Sequence, residues 1–308
     1  MKFTLFTEEK SSFVGALKKW RSLDVLDLFF SGVVYGSLLF VIAAGLTFVL
    51  GVLRVLNLAH ASLFLLGVYI TSYFATTLKI DIYLSIIIGA LVVGFVGLVM
   101  ERGLRILRGR PIEYQLLFTY SMILILYDLQ LSLFGPIAKV IPVPEVFSGN
   151  ISVLSWKLPK IGFLIIVVSL AILIFLYFFI HKTRFGIDTR AVSFDPEIAA
   201  ILGVNPKRVY MLVFFLGTFI TGLGAGFAGM WLPVSPPLWS LLNTLSFTII
   251  VIGGVGSIVG AYIGSIITGI VYAFGITYFP SLSLVLPAIL MAIVLVLRPR
   301  GLLGREVV

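Results

Sequence analysis

From Val209 to Leu297 the chain contains not one Lys, Arg, Asp, Glu or His. A helix needs about 20 apolar residues to cross the hydrocarbon core of a bilayer, so this run is long enough for three or four passes. In water it would expose contiguous apolar patches that invite aggregation. The rest of the chain follows suit: 60% of its 308 residues are hydrophobic and only 11% are charged, whereas soluble domains carry roughly 25% charged residues. Lipid is therefore the solvent this sequence is built for. Three places break the run by their turn chemistry: Pro233 to Pro237, the glycines from Gly253 to Gly256, and Phe279-Pro280.

Stretches free of charge give further spans from Leu28 to Leu53, Val55 to Leu78, Ile82 to Met100, Tyr114 to Ala138 with Asp128 inside, and Ile161 to Ile180. The fold class that follows is all-α, a polytopic transmembrane helical bundle of about eight or nine hydrophobic segments. Broken or re-entrant helices are expected near 51–66 and 251–260. Residues 28–304 form one transmembrane domain, followed by a short tail, 305–308. The net charge of +9 sits in loops, where the positive-inside rule accounts for it without nucleic acid. Four segments are densely basic: the N-terminal stretch 1–27, the loop with Arg102, Arg105, Arg108 and Arg110, the segment 181–208, and the tail from Arg298. All four are expected in the cytoplasm, with the C-terminus among them, and the Pro136 to Lys160 segment outside.

That assignment carries a contradiction, because three apolar segments separate the first two basic regions. Either the N-terminal stretch lies outside despite its charge, or one segment dips in and returns. The region from Gly51 to Leu66 is the candidate, since it holds Arg54, Asn57 and His60 at apparent membrane depth. Irregular backbone survives there only when buried or lining a cavity. Within the N-terminal stretch, Phe13, Val14, Leu17 and Trp20 fall at helical spacing among lysines, which reads as an amphipathic surface helix or as an unstructured tail. LNLAHASLFLLGVYI (56–70) and GGVGSIVGAYIGSII (253–267) echo each other weakly, as paired interrupted segments do in inverted-repeat transporters.

Few residues here have chemistry to offer. The absence of cysteine removes disulfides, thiolate metal sites and a thiol nucleophile, and a lone membrane histidine is no metal set. Asn57, His60 and Ser62 form the most polar spot in an apolar stretch, so they either shape a helix break or touch substrate. Asp128 is the intramembrane carboxylate. It reads as a functional group partnered by Arg54 or His60, or as an interface hydrogen bond. The run Gly253, Gly254, Gly256, Ser257 lacks the Lys of a phosphate loop, leaving close helix packing or a break that lines a pathway. Gly217, Gly222, Gly224, Gly226 and Gly229 give a small-residue helix crossing. In the segment 181–208, Asp195-Pro196-Glu197 starts a helix and Gly203 ends it after Leu202. This is either a docking element or an ordinary connection.

The runs GVLRVLNLAHASLFLLGVYI (51–70), TRFGIDTRAVSFDPEIAAILGVNPKRVYMLVFFLGTFITGLGAGFAG (183–229), VIGGVGSIVGAYIGSIITGIV (251–271) and RPRGLLG (298–304) resemble the LivH-type permeases of branched-chain amino acid ABC importers. The resemblance spans nearly the whole chain. It implies a non-enzymatic permease subunit of the cell membrane, forming half of a pathway with a LivM-like second permease. It further implies two cytoplasmic ATPase subunits that use the ATP, no cofactor on this chain, and an extracytoplasmic substrate-binding protein. Arg184, Asp195, Pro196, Glu197, Ala199, Ala200 and Gly203 match the family's coupling segment. Ala61 and Ser62 depart from the Gly-Glu that such permeases commonly carry after the histidine. A rival reading is a proton-coupled secondary transporter of small amino acids or amides, for which Asp128 would be the coupling group.

Overall fold

The computed structural model describes residues 3–153 and 156–304, without the side chains of residues 3–24, 152, 153, 156 and 157. The amphipathic face expected before Trp20 and the tail 305–308 lie outside the described residues. The chain is helical almost throughout, in the order α1 (Phe3–Leu53), α2 (His60–Ser72), α3 (Ile82–Ile106), α4 (Ile112–Phe134), α5 (Lys160–Lys182), α6 (Arg184–Phe194), α7 (Pro196–Ile201), α8 (Pro206–Ala228), α9 (Trp239–Gly253), α10 (Ile258–Tyr278) and α11 (Val285–Leu297). A two-stranded antiparallel hairpin, β1 (Asn150–Val153) and β2 (Trp156–Pro159), interrupts the connection between α4 and α5. Among the described residues, seven helices are long and apolar enough to cross a membrane, the first of them the Val25–Leu53 part of α1. Helix α11 is a shorter apolar helix beside them, so the long spans fall short of the eight or nine segments expected.

The three breaks in the charge-free run fall where Pro and Gly place them, between α8 and α9, α9 and α10, and α10 and α11. Helix α1 is the most deeply buried span, and α8 packs beside it, its glycines letting neighbours approach on several sides. A Cβ on Gly222 would meet Ala90 and Val93 of α3, and one on Gly226 would meet Ile86. Gly224 faces Val41 of α1, Gly217 faces Val49, and Gly229 faces Val68 of α2 and Ile141. Sequence alone suggests one small-residue face; the glycines instead serve separate crossings, which removes side-chain bulk wherever backbones must close up.

These contacts also fix direction. Along α8, Gly217 meets α1 near Val49 and Gly224 meets it near Val41, so the two helices run antiparallel. Helix α1 is likewise antiparallel to α10, with Gly32 against Ile270 and Gly36 against Ser265. It runs parallel to α5, whose Gly162 touches Phe30 and Val34. The end of α1 at Gly51 therefore meets α6, where the Ser193 hydroxyl donates to the Gly51 carbonyl at 2.8 Å. The Val25 end lies opposite. Here the expectation that the N-terminal segment 1–27, the 181–208 segment and the C-terminus share one side fails: α1 emerges at the end of the bundle opposite α6 and α7. Within the bundle the path of the chain follows the first of the two routes, with the Val25 end of α1 opposite α6 and α7. After α1 the chain turns back, passes Arg54 to Ala59 without helical structure, and continues as α2 toward the far end.

Candidate functional site: the broken helix and the α6–α7 hairpin

The break sits deep in the bundle. Asn57, His60 and Ser62 are all buried. The Asn57 Oδ1 accepts the amide of Ala59 at 3.1 Å, an Asx-type turn that closes the chain just before α2 begins. His60 Nε2 lies 2.7 Å from Thr221 Oγ1 on α8. The Thr221 hydroxyl already donates its one proton to the Gly217 carbonyl at 3.0 Å, so the imidazole must donate from Nε2 to that oxygen. His60 Nδ1 is left as an acceptor without a partner, and Asn57 Nδ2 and Ser62 Oγ are likewise buried and unpaired. Unsatisfied polar atoms in a hydrocarbon environment cost several kcal/mol each. Three from a single short stretch therefore mark a place built for something polar. Gly45 on α1 is what lets His60 and Thr221 sit so close: a Cβ there would fall 2.9 Å from His60 Nε2 and closer still to Thr221 Oγ1 and the Gly217 carbonyl.

Asp128 is not part of this site. It lies on the exposed side of α4, away from the buried stripe Thr119, Ile123, Leu126 and Gln130, and it meets neither Arg54 nor His60. Gln130 reaches the break instead, its Nε2 donating to the Ser62 carbonyl at 3.0 Å. The glycine run after α9 belongs to the α6 end. Gly253 packs on Gly260 and Ala261, Gly254 (φ 97°) on the backbone at Arg300 and Gly304, and Gly256 (φ 79°) against Gly51. The Ser257 hydroxyl caps α10 by accepting the Gly260 amide at 3.1 Å. Gly253 and Gly254 serve close packing, while Gly256 and Ser257 also line a cavity at this end. The two echoed segments are also not equivalent in depth. His60 is level with Gly45, six residues or about 9 Å along α1 from the Gly51 level of Gly256.

The segment 181–208 forms a helical hairpin. Thr183 caps α6, accepting the Gly186 amide at 3.0 Å. Asp195 caps α7, its Oδ1 accepting from Glu197 at 2.8 Å and from Ile198 at 3.0 Å, with Pro196 in the first turn. Helix α7 ends at Ile201, one residue before the expected Leu202, and Gly203 (φ 90°) closes it. Arg184, Glu197 and Ala200 are exposed and Ala199 is buried against the bundle. Helix α6 itself escapes sequence reading, since RFGIDTRAVSF shows little apolar periodicity and carries an early glycine. Five large apolar side chains stand in the open on this hairpin, Ile187 (57% exposed) on α6 and, around the turn and α7, Phe194 (77%), Ile198 (53%), Ile201 (84%) and Leu202 (76%).

Two further features went unread. Glu101 is fully buried near the α6 end and pairs with Arg105 and with Arg108 at 3.3 Å, while Arg108 lies 3.5 Å over the Tyr210 ring. The arginines that signal topology in the sequence thus also fasten α3 to α8. Among the described residues no cluster of three or more His, Asp or Glu could hold a metal ion.

Residues 28–295 match the family model described as branched-chain amino acid transport system, permease component. The chain is 30% identical to the high-affinity branched-chain amino acid transport system permease protein BraD of Pseudomonas aeruginosa, over 89% of this chain and 94% of that one. It is 29% identical to LivH of Escherichia coli K12, over 92% and 96%, and 27% identical to a probable LivH of Methanocaldococcus jannaschii, over 88% and 90%. Such relatives are membrane permease subunits, not enzymes. The chain belongs to the branched-chain amino acid transport system permease component family.

Proposed function

We propose that the chain forms half of the translocation pathway of an ATP-driven importer for branched-chain amino acids. It pairs with a LivM-like second permease, docks two cytoplasmic ATPase subunits at its α6–α7 hairpin, and receives substrate from an extracytoplasmic binding protein at the far end. ATP is used by the ATPases, with no cofactor on this chain. The observation that carries this reading is the exposed apolar patch of Phe194, Ile198, Ile201 and Leu202, set on a capped hairpin among charged residues. Contiguous exposed apolar surface outside the lipid marks a protein interface.

On this reading the α6–α7 end and the C-terminus are cytoplasmic. The positive-inside rule supports it, because Arg102 to Arg110, Lys182 to Arg208 and Arg298 to Arg300 gather there. The N-terminal stretch then emerges outside. Closure of the ATPases would move α6 and α7, and two links carry that motion to the break: Ser193 to Gly51, just ahead of Arg54, and α8, which follows α7 directly and holds His60 through Thr221. Such hinged motion alternates access to a central site. Asn57, His60 and Ser62 line it. The proton-coupled alternative loses its coupling group, since Asp128 faces out of the bundle.

Replacing Gly203 by Val forces a β-branched residue into a left-handed conformation and should deform the end of α7, leaving membrane insertion intact while uncoupling ATP hydrolysis from uptake. Normal uptake by Gly203→Val, or transport in vesicles without ATP and without a co-purifying ATPase, would overturn the proposal.

A further inference from the structure

At the α6 end a cavity of about 870 Å³ opens between the last turn of α1, α5, α6 and the segments around α9 to α11. Among the described residues its charged lining is basic: Arg54, Arg190 and Arg300 contribute to it beside His181, and no Asp or Glu does. The remaining walls are mostly apolar, from side chains such as Tyr177, Ile180 and Leu295. Two of the arginines are placed by specific features. Arg190 donates to the Ile180 carbonyl, which anchors its guanidinium at the junction of α5 and α6. Arg54 adopts φ 53°, a left-handed conformation that non-glycine residues avoid, with its amide held by the Leu50 carbonyl at 3.0 Å. Its guanidinium makes no hydrogen bond or ion pair among the described residues. Arg54 is exposed and lines the cavity, which leaves its guanidinium open to an anion there.

An arginine fork matches the geometry of a phosphate group, and basic pockets between membrane helices take lipid headgroups. We propose that this cavity holds a phosphate-bearing anion, the headgroup of an anionic phospholipid, with its acyl chains along the apolar wall. This inference does not rest on the transport reading, because it concerns occupancy of the purified chain.

The test is retention of phosphatidylglycerol by the full chain in phosphatidylcholine nanodiscs, read by native mass spectrometry. Arg54→Asn removes the charge but tolerates the left-handed backbone. It should lower phosphatidylglycerol occupancy about ten- to a hundredfold, the loss of a charge-assisted contact. Lys79→Asn is the matched control, since Lys79 also adopts φ 53° but sits at the far end of the bundle. It should change nothing. Displacement of the lipid by millimolar inorganic phosphate would keep the anion site and assign it to soluble phosphate. Equal retention by wild type, Arg54→Asn and Arg190→Gln, or displacement by free leucine, would overturn the proposal.

Discussion

Gly45→Ala adds one methyl group where α1, α2 and α8 meet. The new carbon would stand 2.9 Å from His60 Nε2 and nearer still to Thr221 Oγ1 and the Gly217 carbonyl. Two of these neighbours are fixed: one is backbone, and the other is a hydroxyl tied at 3.0 Å to that same backbone. The clash therefore cannot be relieved by a rotamer change, and α1 must move away from α8. Overpacking of this kind costs about 1–3 kcal/mol. Losing the His60 to Thr221 hydrogen bond adds about 0.6 kcal/mol on the average seen inside membranes. The expected destabilisation is about 2–3 kcal/mol, measured by reversible denaturation of the purified chain in mixed micelles.

Uptake should fall further than stability alone accounts for, because the displaced group is the buried end of the broken helix. Thr221→Ala in the same chain removes one of the clashing atoms. The double variant should recover about 1 kcal/mol of the overpacking term, a coupling between contacting residues. If Gly45→Ala unfolds within 0.5 kcal/mol of wild type and transports normally, the close approach of α1, α2 and α8 described above is wrong.

Ile201→Glu and Leu202→Glu leave the fold intact, since both side chains are largely exposed. Each should weaken ATPase association about tenfold or more, given about 1.5–3 kcal/mol for burying such a side chain, as read by co-purification. Asp195→Ala removes the cap of α7 and should cost about 1 kcal/mol locally, visible as faster amide exchange at Glu197 and Ile198 with unchanged exchange in α3. Glu101→Gln leaves Arg105 and Arg108 without their carboxylate. With the arginine side chains still 32% and 24% exposed, the loss should be about 2 kcal/mol, below that of a fully buried pair. Asp128→Asn should transport at wild-type rate across pH 6 to 8; loss of uptake would revive a proton-coupled mechanism.

What the sequence declares, it declares through local chemistry. Pro233 to Pro237, Gly253 to Gly256 and Phe279-Pro280 break helices for reasons contained in a few residues, and the helices end there. Asp195, Pro196 and Gly203 specify α7 in the same way. The position of Asp128 is not declared, because α4 carries polar residues on more than one side and nothing local tells the inward-facing Gln130 from the outward-facing Asp128. Thr119, Ile123, Leu126 and Gln130 emerge as the inner stripe only once α4 is packed. The orientation of α1 escapes for a related reason. Lysines near Trp20 argue for one side, but which end of α1 meets α6 depends on glycines matched to partners more than a hundred residues away, such as Gly45 to Gly217 and Gly36 to Ser265.

The same long-range matching explains why the site could be named but not built from sequence. Asn57, His60 and Ser62 are conspicuous as polar residues in an apolar run, yet their partners lie elsewhere: Thr221 is 161 residues from His60, and Gln130 is 68 from Ser62. Each partner satisfies one atom and leaves another open, Nδ1 on His60 and Oγ on Ser62. A purely structural break would gain by pairing all of them, since each buried orphan carries a penalty and the neighbouring α1 offers the hydroxyl of Thr47, itself unpaired. That so many buried donors and acceptors remain open around one non-helical stretch favours a path that a polar solute enters over a scaffold sealed against it. Ser193→Ala separates the two: it cuts the 2.8 Å link from α6 to the Gly51 carbonyl without touching any open atom, so a transport path should lose uptake at undiminished ATP hydrolysis, whereas a sealed scaffold should lose neither.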